Sequence, residues 1–141
     1  MSVSDEQARI ALRDHDWPIV QGYVLELLGS DRTRGVEWLE RLQAEARPQA
    51  IAGEKYAQSV MGSIETWRCW WGLAPAAESL ERALEWFVMA ARQVGGERMI
   101  DQVRLFYLEA RRRGLHFPSV ESFLADPEIA HRYREHFGAT L

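Results

Sequence analysis

Apolar residues recur every three or four positions along the whole chain, and no stretch bounded by turn residues alternates with period two. That regularity restricts the chain to helices. Ser4-Asp5-Glu6-Gln7 has the residue types of a capping box, which predicts a first helix running to about His15. Asp16 can cap a second helix, with Pro18 tolerated in its first turn. Ile19, Val20, Tyr23, Val24, Leu27 and Leu28 form its apolar stripe, and Gly29 closes it. A third helix opens at Ser30 or Asp31 and is expected to stop near Arg47, because the residue before Pro48 avoids helical geometry.

The fourth helix is expected from about Gln49 to Trp71, with Val60, Ile64, Trp67 and Trp71 along one seam. It also carries small residues, Ala52, Gly53, Ala57, Ser59, Gly62 and Ser63, which let another backbone approach closely. Such a helix belongs at the centre of a bundle or against a second copy of the chain. Pro75 starts a fifth helix with Leu80, Ala83, Leu84, Phe87, Val88, Ala91 and Val94 at helical spacing, and Gly95-Gly96 breaks it. A sixth runs from Glu97 to Arg113 before Gly114, with three arginines in its last turn complementing the helix dipole. Phe117-Pro118-Ser119 and Asp126-Pro127-Glu128 each open a short helix, the last one bearing Ile129, Tyr133 and Phe137.

The fold class expected is therefore all-α, a single domain over residues 1–141. About five or six main helices fill residues 1–114, and a short-helix C-terminal cap covers 115–141. Val60, Ile64, Trp67, Leu84, Phe87 and Val103 are the expected core. A chain of 141 residues buries about 68–70% of the surface it exposes when unfolded, so no metal or disulfide is required to close it. Cys69 is the single cysteine, no apolar run approaches the ~18 residues of a membrane span, and Met1 to Glu6 lack the pattern of a secretory signal. These features point to the cytoplasm, away from the membrane.

No nucleotide-binding glycine loop, Cys/His metal cluster or nucleophile motif occurs. Glu128 and His131 have the i, i+3 spacing of a di-iron carboxylate helix, but the second such pair is missing, so a solvated helix face is the plainer reading. No catalytic residue and no cofactor is expected. Formal net charge is −4, and of the 17 basic residues only Lys55 is a lysine. A G+C-rich bacterial coding bias accounts for that choice, and so does an anionic partner read by arginine forks. Arg92, Arg98, Arg104, Arg111, Arg112 and Arg113 concentrate in residues 91–113, where Arg104 and Arg111 at i and i+7 could grip phosphates. Surface pairing, as of Asp101 with Arg104, explains the same cluster.

Arg111-x-x-x-x-His116 resembles the Arg-x4–6-His signature of the helical nucleases called HEPN, in which both residues act on an RNA phosphate from one helix. Gly114 departs from that pattern by ending the helix before His116. The segment Asp101 to Tyr107 resembles a helix of the small all-helical subunits of type III CRISPR ribonucleoprotein complexes, and the likeness spans seven residues. It implies a subunit touching nucleic-acid backbone. Trp67-Arg68-Cys69-Trp70-Trp71 places Trp70 away from the seam and beside Arg68, the composition of an interface hot spot unless the C-terminal helices cover it. The expected function is a non-catalytic helical interaction module that binds a protein partner or itself. Its contact residues would be Trp70, Arg68, Gly53, Ala57 and Gly62. The alternative is a nucleic-acid-contacting subunit using the arginine cluster.

Overall fold

Side-chain caps fix where several helices begin. Ser4 Oγ accepts from Gln7 N (3.1 Å) while Gln7 Oε1 accepts from Ser4 N (2.9 Å), which completes the capping box of α1, Asp5–Arg13. Asp31 caps α3, Arg32–Ile51, and Asp126 caps α8, Pro127–Phe137, each carboxylate accepting a backbone N–H of the first turn. The computed structural model describes residues 3–141, and α2 (Trp17–Ser30), α4 (Lys55–Trp70), α5 (Ala76–Ala91), α6 (Glu97–Arg112) and α7 (Pro118–Ala125) complete eight helices. Among the described residues there is no strand, and no helix is long and apolar enough to cross a membrane.

Buried side chains divide into two clusters that follow chain order. Val20, Val24, Leu39, Leu42, Val60 and Ile64 belong to the cluster built by α1 to α4. Leu80, Leu84, Ile100, Val103, Val120, Phe123, Ile129 and Tyr133 belong to the cluster built by α5 to α8. The two short C-terminal helices thus supply interior side chains on the same footing as α5 and α6. All six residues expected in the core, Val60, Ile64, Trp67, Leu84, Phe87 and Val103, are buried.

Close helix approach needs glycine at two places. A Cβ at Gly35 would lie 2.7 Å from Leu28 N, so α3 packs backbone to backbone on α2. A Cβ at Gly62 would lie 2.6 Å from the Phe87 ring, so α4 and α5 join the two clusters through a ring set in a glycine gap. The close neighbour expected for the small residues of α4 is α5 of the same chain.

Other sequence expectations are corrected. Pro48 lies inside α3, which runs on to Ile51. Ala46 and Ala50 are fully buried, and Ala50 O accepts from Gln58 Nε2 at 3.2 Å, so packing carries the helix one turn past the proline. Ala44, whose carbonyl the proline cannot bond, is on the exposed side. Helix α4 consequently starts at Lys55 instead of Gln49. Gly53 sits in the preceding turn at φ +100°, outside the small-residue face assigned to it. Helix α1 ends at Arg13, and His15 adopts φ +56° in the turn. Val94 is 95% exposed because α5 stops at Ala91, and Ile19 is exposed on the outer side of α2.

Candidate interaction surface

The C-terminal end of α4 turns successive tryptophans to different environments. Trp67 is buried in the first cluster, Trp71 is half-buried at the C-cap, and Trp70 remains 59% exposed. The Trp70 indole lies 6.3 Å from the Phe106 ring of α6, and Phe106 stacks on Phe87 of α5 at 5.5 Å with the planes 4° apart. Phe87 itself rests in the gap at Gly62. A row of three rings therefore runs from the α4–α5 contact to the surface. Trp70 is its outer end, and neither α7 nor α8 covers it.

Arg68, two residues earlier, is held in place. Its guanidinium lies 3.0 Å from the buried Glu65 carboxylate and also donates to the Gln43 side chain on α3. Arg82 of α5 reaches the other Glu65 oxygen at 3.2 Å. One buried carboxylate with two arginines thus ties α3, α4 and α5 together directly beneath the tryptophan-rich end. Buried pairs of this kind add little net stability after desolvation, and what they supply is geometry. Nothing in the sequence singled out Glu65 or Arg82, since their pairing depends on two helices meeting 17 residues apart.

The residues assigned to the contact surface do not form one patch. Trp70 and Arg68 both lie at the end of α4 but face different helices, Trp70 toward Phe106 of α6 and Arg68 toward Gln43 of α3. Ala57 and Gly62 are buried within the bundle, and Gly53 lies at the opposite end of α4, where its carbonyl accepts from Gln93 Nε2 at 2.9 Å.

The arginine cluster is largely neutralised. Arg104 pairs with Asp101 at 3.1 Å and lies over the Tyr133 ring, and the hydrogen bond to Asp101 is the main cause raising its guanidinium above the ordinary arginine value. Arg112 and Arg113 both hold Glu109, at 2.5 and 3.1 Å, and their hydrogen bonds lower that carboxyl from its ordinary value to about 2. Arg92 lies over the Phe123 ring at 5.2 Å. Among the described residues only Arg98 and Arg111 of the six make neither an ion pair nor a cation–ring contact. They stand at opposite ends of α6, about 20 Å apart at 1.5 Å per residue. His116 lies beyond the helix, past Gly114 at φ +79°, so Arg111 and His116 are not presented on one helical face.

A second feature escaped the sequence reading. A cleft of about 470 Å³ lies between the starts of α2 and α4, lined by residues that include Asp16, Trp17, Gln21, Glu54 and Tyr56. On its wall His15 stacks on Trp17 at 4.8 Å and places Nε2 3.1 Å from Glu45, a pair of contacts that holds a non-glycine residue at positive φ. The helix start at Asp16-Trp17-Pro18 was legible, although Asp16 makes no side-chain capping bond, but a left-handed histidine before it was not. Among the described residues no group of three or more His, Cys, Asp or Glu side chains is placed to hold a metal ion. Compared with protein-family models, curated proteins and solved structures, the chain matches none.

Proposed function

We propose that this chain is a non-catalytic helical interaction module that binds a protein surface, a partner protein or a second copy of itself, through the end of α4 around Trp70. The exposed indole carries this reading. Tryptophan is the side chain most concentrated in interface hot spots, because it covers a large area with few rotatable bonds. With 59% of the residue still exposed, a partner could cover on the order of 100 Å² of it, worth roughly 2.5 kcal/mol at 25 cal/mol per Å². The ring row behind it and the Glu65–Arg68–Arg82 cluster below it support a surface already rigid before contact, which reduces the ordering cost of association.

A second reading, contact with nucleic acid, rests on Arg98 and Arg111, the two arginines of the cluster that make neither an ion pair nor a cation–ring contact among the described residues. The net charge of −4 and the pairing of Arg104, Arg112 and Arg113 weigh against it. A salt series with single-stranded DNA and RNA tests the proposal against this alternative. The interaction-module reading predicts weak, sequence-independent binding that is negligible at physiological salt. Tight binding under those conditions would overturn it in favour of the alternative. Replacing Arg98 and Arg111 by alanine should then reduce the log–log salt slope by about 1.4, two contacts at about 0.7 each.

A further inference from the structure

Three basic residues from three separate helices line one small cavity that has no carboxylate residue in its wall. The cavity, of about 240 Å³, is lined by Lys55 at the start of α4, Arg98 in the first turn of α6 and His136 near the end of α8, with Tyr56, Ser59 and the Gly95-Gly96 turn between them. In a chain with more acidic than basic residues, that convergence needs explaining.

The acids adjacent in sequence are engaged elsewhere. Glu54, before Lys55, accepts the backbone N–H groups of Tyr56 and Ala57. Glu97, before Arg98, is held by Arg132 at 3.2 Å and also lies within electrostatic reach of His136, without lining the cavity. Arg98 has no ion-pair partner among the described residues. Lys55 Nζ donates to Val94 O at 3.2 Å and lies 5.0 Å from the Tyr56 ring centroid, so one hydrogen of the ammonium is bound to protein and two others are open. A Cβ on Gly95 would come 2.8 Å from that Nζ, so the glycine is what lets the ammonium lie against the turn. Gly96, the N-cap of the 16-residue α6, supplies no capping side chain, and the positive end of the helix adds to the potential of Lys55 and Arg98.

We propose that this cavity binds a phosphate group, as the free anion or as the monoester of a small metabolite. Two fixed positive charges, a histidine that can add a third, and the Tyr56 and Ser59 hydroxyls supply several donors and no carboxylate, as charge-assisted hydrogen bonds to phosphate oxygens require. The volume lies below the roughly 300 Å³ at which drug-sized ligand pockets begin. That size suits a phosphate with little attached to it. The site is distinct from the Trp70 surface and does not depend on it.

The test titrates inorganic phosphate and, separately, glycerol phosphate into the protein at constant ionic strength, following backbone amide shifts and the thermal midpoint. Saturable shifts at Ser59, Gly95, Gly96 and Arg98, with a midpoint that rises with phosphate, are expected. Lys55→Gln combined with Arg98→Gln should weaken binding about tenfold or more, and Arg98→Gln alone, at an exposed position, gives the same direction without perturbing the turn. Saturation by both probes supports the phosphate group as the recognised unit, and saturation by glycerol phosphate alone supports a monoester site. Absence of saturable shifts with either probe, or equal binding by the wild type and Arg98→Gln, overturns the proposal.

Discussion

Trp67→Ala is expected to lower the unfolding free energy by about 3–5 kcal/mol, the range for truncating a large buried aromatic. The residue is only 6% exposed and closes the end of the first cluster, where α4 meets α2 and α3. Cavity formation adds to the lost burial, because the glycine-mediated contact of α3 on α2 and the Glu65 cluster restrict collapse around the gap. Denaturant melts of wild type and variant measure it directly. A loss under about 1 kcal/mol would show that Trp67 is not part of a fixed core. Trp70→Ala, three positions further, is the internal comparison and should change stability by no more than about 0.5 kcal/mol, as exposed substitutions do.

Gly62→Leu is expected to cost about 3 kcal/mol, the upper end of the range for overpacking. The first atom of any side chain there meets the Phe87 ring at 2.6 Å. Phe106 of α6 stacks parallel to that ring with centroids 5.5 Å apart and limits how far it can swing aside. The strain therefore passes to the α4–α5 separation, which joins the two clusters. Gly62→Ala should cost less in the same direction, and pairing it with Phe87→Leu should recover part of the loss, a coupling that a double-mutant cycle reads. If Gly62→Leu melts like the wild type, the two helices do not meet as described.

The helices themselves were legible because caps and apolar spacing are local. Ser4 with Gln7, Asp31 and Asp126 begin helices where their residue types imply, and the glycines at 114 and 138 take the positive φ that ends one. Pro48 was misread for the converse reason. Whether a proline stops a helix depends on whether packing beyond it, here at Ala50, outweighs one missing hydrogen bond, and that information lies in another helix. Gly53 was drawn onto a helix face by composition alone, although its conformation belongs to a turn. The tryptophan-rich end of α4 was visible in sequence, whereas its ring row was not, since Phe87 and Phe106 come from helices further along the chain. The pairing that quiets the arginine cluster was half visible. Asp101 with Arg104 and Glu109 with Arg112 and Arg113 are i, i+3 and i, i+4 neighbours. The cavity formed by Lys55, Arg98 and His136 requires residues up to 81 positions apart, and no local pattern announces it.

The proposal that Trp70 is the centre of a protein-binding surface is tested most directly by an aromatic photo-crosslinking residue, which keeps a large ring there, placed at position 70 in the living source cell. The same residue at Glu37, exposed on α3, serves as the control position. One discrete adduct is expected at position 70 and none at position 37, either with a second copy of the chain or with one protein. That species, purified, should bind the wild type and lose about 30-fold in affinity with Trp70→Ala, which is the ~2 kcal/mol of a hot spot, while the thermal midpoint stays unchanged. No discrete adduct at position 70, or a partner whose affinity ignores Trp70→Ala, would contradict the account.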